Sequence, residues 1–165
     1  MKYFKHPHTD EVFAYETGSE RAQWGAKELV AIDGDELEAI LNPAPSIEEA
    51  QTTCWGAIKA KRDSRTLEGG YRVGSHWYHS DTFSRTQQMG LVMLGASLPS
   101  GVEWKTMGGA KVLMTTALAQ QIFAAAAASD IAVFAAAEAH RAAMMASADP
   151  ATYDFSGGWP PVFGE

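Results

Sequence analysis

Two short alternating stretches open the chain. Tyr3-Phe4-Lys5-His6 and Glu11-Val12-Phe13-Ala14-Tyr15 read as strands joined by turn residues from Pro7 to Asp10. Pro7 lacks a backbone donor and suits the edge of a hairpin. A looser segment containing Trp24 follows, and Leu29-Val30-Ala31-Ile32 reads as a third strand. Asp35, with Glu38 three residues later, fits a capping box that opens a short helix to Leu41. Asn42-Pro43-Ala44-Pro45 ends it. Residues 1–42 therefore predict a small ββ(β)α module, and residues 43–46 a Pro-rich hinge.

From residue 47 the apolar spacing lengthens to that of a helix. Ser46 and Glu49 form a second capping-box pair. Ile47, Ala50, Cys54, Trp55, Ile58 and Leu67 fall over one broad helical side, up to about Glu68. Gly69-Gly70 stops that helix. Tyr71 to His79 has strand character, with Gly74-Ser75 as a turn or a bulge. Ser80-Asp81 is placed to cap a helix over about 82–96, which carries Phe83, Met89, Leu91, Val92 and Leu94. Val102 to Thr106 and Lys111 to Met114 flank Met107-Gly108-Gly109-Ala110, a second hairpin signature.

The last long element is a helix capped by Thr115 or Thr116 and running to about Ser147. Sixteen of the 32 residues from Ala117 to Ala148 are alanine, the strongest helix former. Bulky pairs recur every 11 residues: Ile122-Phe123, Val133-Phe134 and Met144-Met145. Eleven residues return to within about 20° of the same direction, so the pairs predict one straight ridge beside alanine. Such a ridge either closes the chain's own core or docks on another chain, a second copy included. An aromatic tail, Tyr153 to Pro160, is expected to fold back. The fold class is α+β. A small N-terminal β-hairpin or meander module precedes a helix-dominated domain, residues 47–165, with two hairpins and a long Ala-rich helix.

Charge and composition narrow the function. The chain has 165 residues, a formal charge of −7 and 46% apolar residues, which fits a globular protein. Residues 1–50 hold 4 basic and 11 acidic side chains, and the remainder 9 of each. That balance argues against a general nucleic-acid binder, which needs a basic footprint. The cluster Lys59, Lys61, Arg62 and Arg65 reads as a solvated helix face. Cys54 is the one cysteine, so no intrachain disulfide forms. The first residues lack an apolar run of signal-peptide length. Polar residues interrupt the Ala-rich helix, so membrane insertion is not expected.

No catalytic set, cofactor site or metal site emerges from spacing. His76 and His79 point to opposite sides of a strand, and His6 and His8 have no further ligand nearby. Asp33-Gly34-Asp35-Glu36 lacks the alternating ligands of a calcium loop. Gly108-Gly109-Ala110-Lys111 lacks phosphate-loop spacing. Aromatic residues carry more information, because they dominate cores and interface hot spots alike. Of Trp77 and Tyr78, neighbours in a strand, one faces outward. The candidate partner-binding residues are Trp77, Tyr78, Trp104, Ile122, Phe123, Val133, Phe134, Met144 and Met145.

Two stretches resemble known families. The opening, Met1-Lys2-Tyr3-Phe4 through Glu11 to Tyr15, then Leu29 to Ile32 and Asp35-Glu36-Leu37, resembles the N-terminal part of tail fibre assembly proteins of tailed bacteriophages. The remainder resembles a domain of unknown function found in phage and prophage tail proteins. It does so at Ile58 to Asp63, Gly69-Gly70, Ser80 to Arg85, Trp104 to Met107, the Ala-rich helix and Phe155 to Pro160. Neither resemblance implies a catalytic residue. Together they imply a non-catalytic tail protein, made in the host cytoplasm, that binds a tail fibre or baseplate partner. The alternatives are a transient fibre chaperone and a receptor-binding module that stacks a host glycan on Trp77 or Trp104.

Overall fold

Turn chemistry sets the first strands. Asp10 takes φ 55°, a left-handed conformation that short polar side chains tolerate. It closes the turn in which the Asp10 amide donates to His6 O at 3.0 Å and the His6 amide to Glu11 O at 2.9 Å. The computed structural model describes residues 1–16 and 28–165, so the Trp24 segment lies outside the described residues. The chain divides into two units, Met1–Ser46 and Ile47–Glu165.

In the first unit, β1 (Lys2–Lys5), β2 (Val12–Tyr15) and β3 (Val30–Ile32) form an antiparallel sheet of order β2-β1-β3. Phe4 of the central strand, Leu29 and Ile32 are buried, and the Phe4 ring stands edge-on to Tyr15 at 5.8 Å. Helix α1 (Gly34–Leu41) is capped by Asp33, whose carboxylate accepts from the Glu36 amide at 2.8 Å. The expected cap, Asp35, instead lies inside the first turn. There its charge favours the helix through the aligned peptide dipoles. Lys5 pairs with Glu36 at 2.5 Å and ties α1 to β1.

The second unit is built on one long helix. Its elements are α2 (Ile47–Glu68), β4 (Tyr71–Val73), β5 (His76–Tyr78), α3 (Thr82–Leu94), β6 (Glu103–Lys105), β7 (Lys111–Leu113) and α4 (Thr116–Met145). Short 3-10 turns follow α3 and α4. The α+β class expected from the pattern is the class observed. Thr115 caps α4 by accepting from the Leu118 amide at 3.1 Å. With 30 residues, α4 is about 45 Å long.

That length lets α4 serve two clusters. Its first half buries Ala119, Ile122 and Ala126 against Tyr71, Tyr78 and Met114. Its second half buries Ala137 and Met144 against Cys54 and Ile58 of α2. Alanine and cysteine at these positions let the two helices approach closely. They run antiparallel, with Arg141 over Trp55 at one end and Arg62 over Phe134 further along. Ile47 and Leu67 do not join Ala50, Cys54 and Ile58 on the buried side; both are exposed, because the inner stripe of α2 is narrower than the sequence pattern implied.

Hairpin β4-β5 turns at Gly74, whose φ of +60° is what a two-residue turn asks of its first central residue. Hairpin β6-β7 closes through Thr106, whose amide donates to Ala110 O at 2.8 Å. The Met107 amide donates to Trp77 O at 2.9 Å and joins the two hairpins. Gly70 sits where they meet α2. Its φ is +71°, and a Cβ there would strike Met107 Sδ and Tyr78 O.

Arg85 of α3 ties these pieces together. Its guanidinium forms a two-pronged pair with Asp130 of α4 at 2.7 and 2.8 Å. The same group donates to Ser80 O at 2.6 Å and to Thr66 O at 2.9 Å, and lies over the Tyr71 ring. Tyr71 Oη bonds to Gln88 Oε1, and Gln88 Nε2 donates to His79 O at 3.0 Å. Gln88 is the buried position of α3 because this polar chain occupies the side that faces the core. Burial pushes the Tyr71 hydroxyl up to about 12, against the opposing field of Arg85.

Arg85→Met is expected to lower stability by about 2 kcal/mol, since it removes charged hydrogen bonds to a partly buried carboxylate and two carbonyls. Asp130→Asn should cost less, because an acceptor remains. Urea unfolding checks both; wild-type midpoints in the two variants would show the pair to be dispensable. Tyr71 ionises near 10 when unfolded and near 12 when folded, so stability should fall as pH rises through that window. The alkaline limb of the unfolding midpoint should be shallower in Tyr71→Phe.

Candidate interaction surfaces

The helical ridge expected from the sequence is split lengthwise. Neighbouring residues on a helix stand about 100° apart, so the two members of each bulky pair take different environments. Ile122, Val133 and Met144 are sealed in the core, while Phe123, Phe134 and Met145 are about half exposed. Tyr78 is buried as well, pointing inward beside Tyr71. Ile122, Val133, Met144 and Tyr78 are therefore core residues and leave the partner-facing set. Phe134 is itself partly covered by the Arg62 guanidinium, 4.7 Å from its ring centre. Trp77 faces outward from β5 as alternation requires, but Phe163 stands edge-on to it at 6.3 Å.

Trp104 lines an open groove. This groove, of about 650 Å³, runs between α3 and β6. Leu91, Val102 and Trp104 line it and also pack on the hairpin core beneath. Phe83 forms a rim and is 71% exposed. It stands about 140° round α3 from Gln88, so the polar inward side of that helix leaves its largest apolar residue outside. Gly90 leaves the wall open, with no atom near where a Cβ would stand. Glu103 and Lys105 flank Trp104 in sequence and point away from it, giving the apolar floor a rim of both charges. His79, Ser84 and Gln87 complete the lining. The indole N–H of Trp104 is buried and has no hydrogen-bond partner.

The basic cluster of α2 does work that its sequence did not show. Lys61 donates to Ser156 O at 2.9 Å, and Arg65 donates to Pro160 O and pairs with Glu165, both at 2.5 Å. The aromatic tail thus folds back across α2 and α4. His140 stacks on Trp159 at 5.1 Å, and its two ring nitrogens meet Tyr153 Oη and Gly157 O at 3.0 and 2.8 Å. The expectation of a simply solvated face is corrected: two of the four cations hold the tail, and Arg62 covers Phe134.

Two features bear on chemistry. Among the described residues, no three His, Cys, Asp or Glu side chains converge as metal ligands would. Cys54 is buried, and burial pushes its thiol up, opposite to the shift that activates a nucleophile. A third concerns α4 itself. An 18-residue window has mean hydropathy 1.6, long and apolar enough by composition to cross a membrane, with 22% of it buried. The polar interruptions noted in the sequence do not lower that value enough to exclude a span. Asp130, within the helix, is held by Arg85.

The second unit is thus an α+β assembly of two hairpins and three helices with exposed apolar side chains on α3 and α4 and the half-buried Trp104 of β6 lining a groove. Residues 49–157 match a family described as Domain of unknown function (DUF4376), and the chain belongs to that family. The match spans the second unit except its first two and last eight residues. No curated protein matches the chain, and no solved structure does.

Proposed function

We propose that this protein is a non-catalytic component of a bacteriophage tail that holds a tail fibre or tail-tip partner in the groove between α3 and β6. The sequence resemblance to tail fibre assembly and tail-associated proteins supplies the setting. One observation carries the mechanism: Phe83, 71% exposed, overhangs an open groove lined by Leu91, Val102 and Trp104. Covering an exposed large apolar side chain is worth roughly 1.5–3 kcal/mol, so Phe83 is the lining residue on which a partner gains most. Glu103 is held by Lys111 across the hairpin at 3.0 Å, so Lys105 supplies the rim charge that steers an incoming segment. The acidic first unit favours a basic or polar patch on the same partner. In this reading the protein is made in the host cytoplasm and placed in the tail.

Phe83→Asp tests the proposal, because an exposed position leaves the fold intact. Pull-down with the tail fibre and tail-tip proteins of the same phage should weaken at least about 10-fold, the loss of roughly 1.4 kcal/mol. Undiminished binding removes the groove from the reading. Mass spectrometry of purified particles then separates two roles: stoichiometric copies mark a structural part, and absence marks a chaperone. A glycan array on which Phe83→Asp loses a sugar signal, with no fibre binding in the wild type, replaces the partner with a host glycan.

A further inference from the structure

We infer that the partner enters the groove as an extended segment and pairs, backbone to backbone, with the free edge of β6. This rests on the groove being the partner's site, and it states how the partner is held there. The hairpin's own bonds show which groups are free. In an antiparallel pair, residues alternate between exchanging both backbone bonds with the strand opposite and turning both groups away from it. Val102 O accepts from the Met114 amide and the Thr106 amide donates to Ala110 O, both at 2.8 Å. With Trp104 opposite Val112, residues 102, 104 and 106 therefore turn toward β7. Glu103 and Lys105 turn their N–H and C=O groups to the other edge, where they make no hydrogen bond to any described residue. Two donors and two acceptors thus stand in line along β6.

The groove lies along that edge. Val102, Glu103, Trp104 and Lys105 all line it, although their side chains alternate between two faces, and no described residue of β7 joins them. An opening shared by four consecutive residues of one strand and none of its neighbour runs beside the strand, on the side away from β7. The far wall is α3, where Gly90 has no side chain to fill the space. Four residues of extended chain span about 13 Å. A segment laid there bonds its main chain to Glu103 and Lys105, the mode in which backbone gives affinity and alternate side chains give specificity. Its residue opposite Trp104 points to the apolar floor, beside Leu91 and Phe83. Its residues opposite Glu103 and Lys105 stay on the solvent face, and charge selects them. Glu103 is neutralised by Lys111 at 3.0 Å, and Lys105 lies directly across from Lys111, so these three residues leave one net positive charge. The occupant is therefore a strand-forming segment with an acidic residue beside Lys105, an apolar residue next to it and no proline at a bonding position. A helix seated in the same groove would cover the four backbone groups without pairing them, at a desolvation cost for each.

Amide hydrogen exchange on the whole chain, free and with the tail fibre or tail-tip protein of the same phage, reads the edge directly. The Glu103 and Lys105 amides should exchange readily in the free chain and slow at least about 10-fold in the complex. The Trp104 amide, turned toward Val112, should be protected in both. Lys105→Pro removes one outward donor and leaves the ladder to β7 whole, so binding should weaken about 3- to 10-fold, the worth of one hydrogen bond. Leu113→Pro makes the same change on the outer edge of β7 and should bind as the wild type does. Unprotected Glu103 and Lys105 amides in a complex that Phe83→Asp weakens overturn the edge pairing and leave the groove as the site, with the partner docked on side chains alone. Binding untouched by both Phe83→Asp and Lys105→Pro overturns the two together. Where neither fibre nor tail-tip protein binds, the proposed partner falls, and a random heptapeptide library presented to the whole chain decides the edge. Enriched peptides should alternate apolar and polar residues, carry an acidic residue and lose affinity for Lys105→Pro. Enrichment of helical spacing, or no enrichment, overturns the inference.

Discussion

The pair between Arg85 and Asp130 is the constraint on which the second unit depends. One guanidinium satisfies a carboxylate on α4, the carbonyl of Thr66 near the end of α2, and the carbonyl of Ser80 ahead of α3. Five donors in a rigid planar fork make arginine suited to this, and lysine would leave acceptors unmet. The three helices are otherwise joined by apolar packing in which Ile58, Ile122, Val133 and Met144 sit among alanine and cysteine. A polar junction that admits one geometry adds specificity to that packing. Tyr71 and Gln88 extend that junction to the first hairpin.

From that constraint the uncovered surfaces follow. Asp130 fixes the rotation of α4, so Ile122, Val133 and Met144 turn inward and Ile131 turns out. Gln88 lies on the inward side of α3 because Tyr71 and the His79 carbonyl need its amide. Phe83 is then carried to the rim of the groove. Exposed apolar surface on this small protein is thus a consequence of polar residues holding core positions. Large exposed apolar patches on a folded chain mark places where something else binds. Two such places, the groove and the outer side of α4, lie on different elements. The tail, held down by Lys61, Arg65 and His140, covers part of Trp77 and the far end of α4 with the chain's own residues.

Local chemistry by itself determined much of the architecture. Turn and cap residues placed both C-terminal hairpins and the starts of α3 and α4, because glycine at positive φ and side-chain oxygens at helix ends act over two or three residues. Alanine content alone determined that α4 is long. The cap of α1 slipped from Asp35 to Asp33, a shift within the reach of either carboxylate. Tertiary structure alone decided which way each helix faces. A period of 11 marks a straight row and does not say on which side the core lies, so Phe123 and Phe134 were legible as a ridge while Ile131 was not. Lys61 and Arg65 read as solvated because their partners are backbone carbonyls some 95 residues away, which carry no sequence signal. The groove shares that origin: Phe83 and Trp104 sit on different elements, and only the packing that Arg85 anchors brings them to one opening.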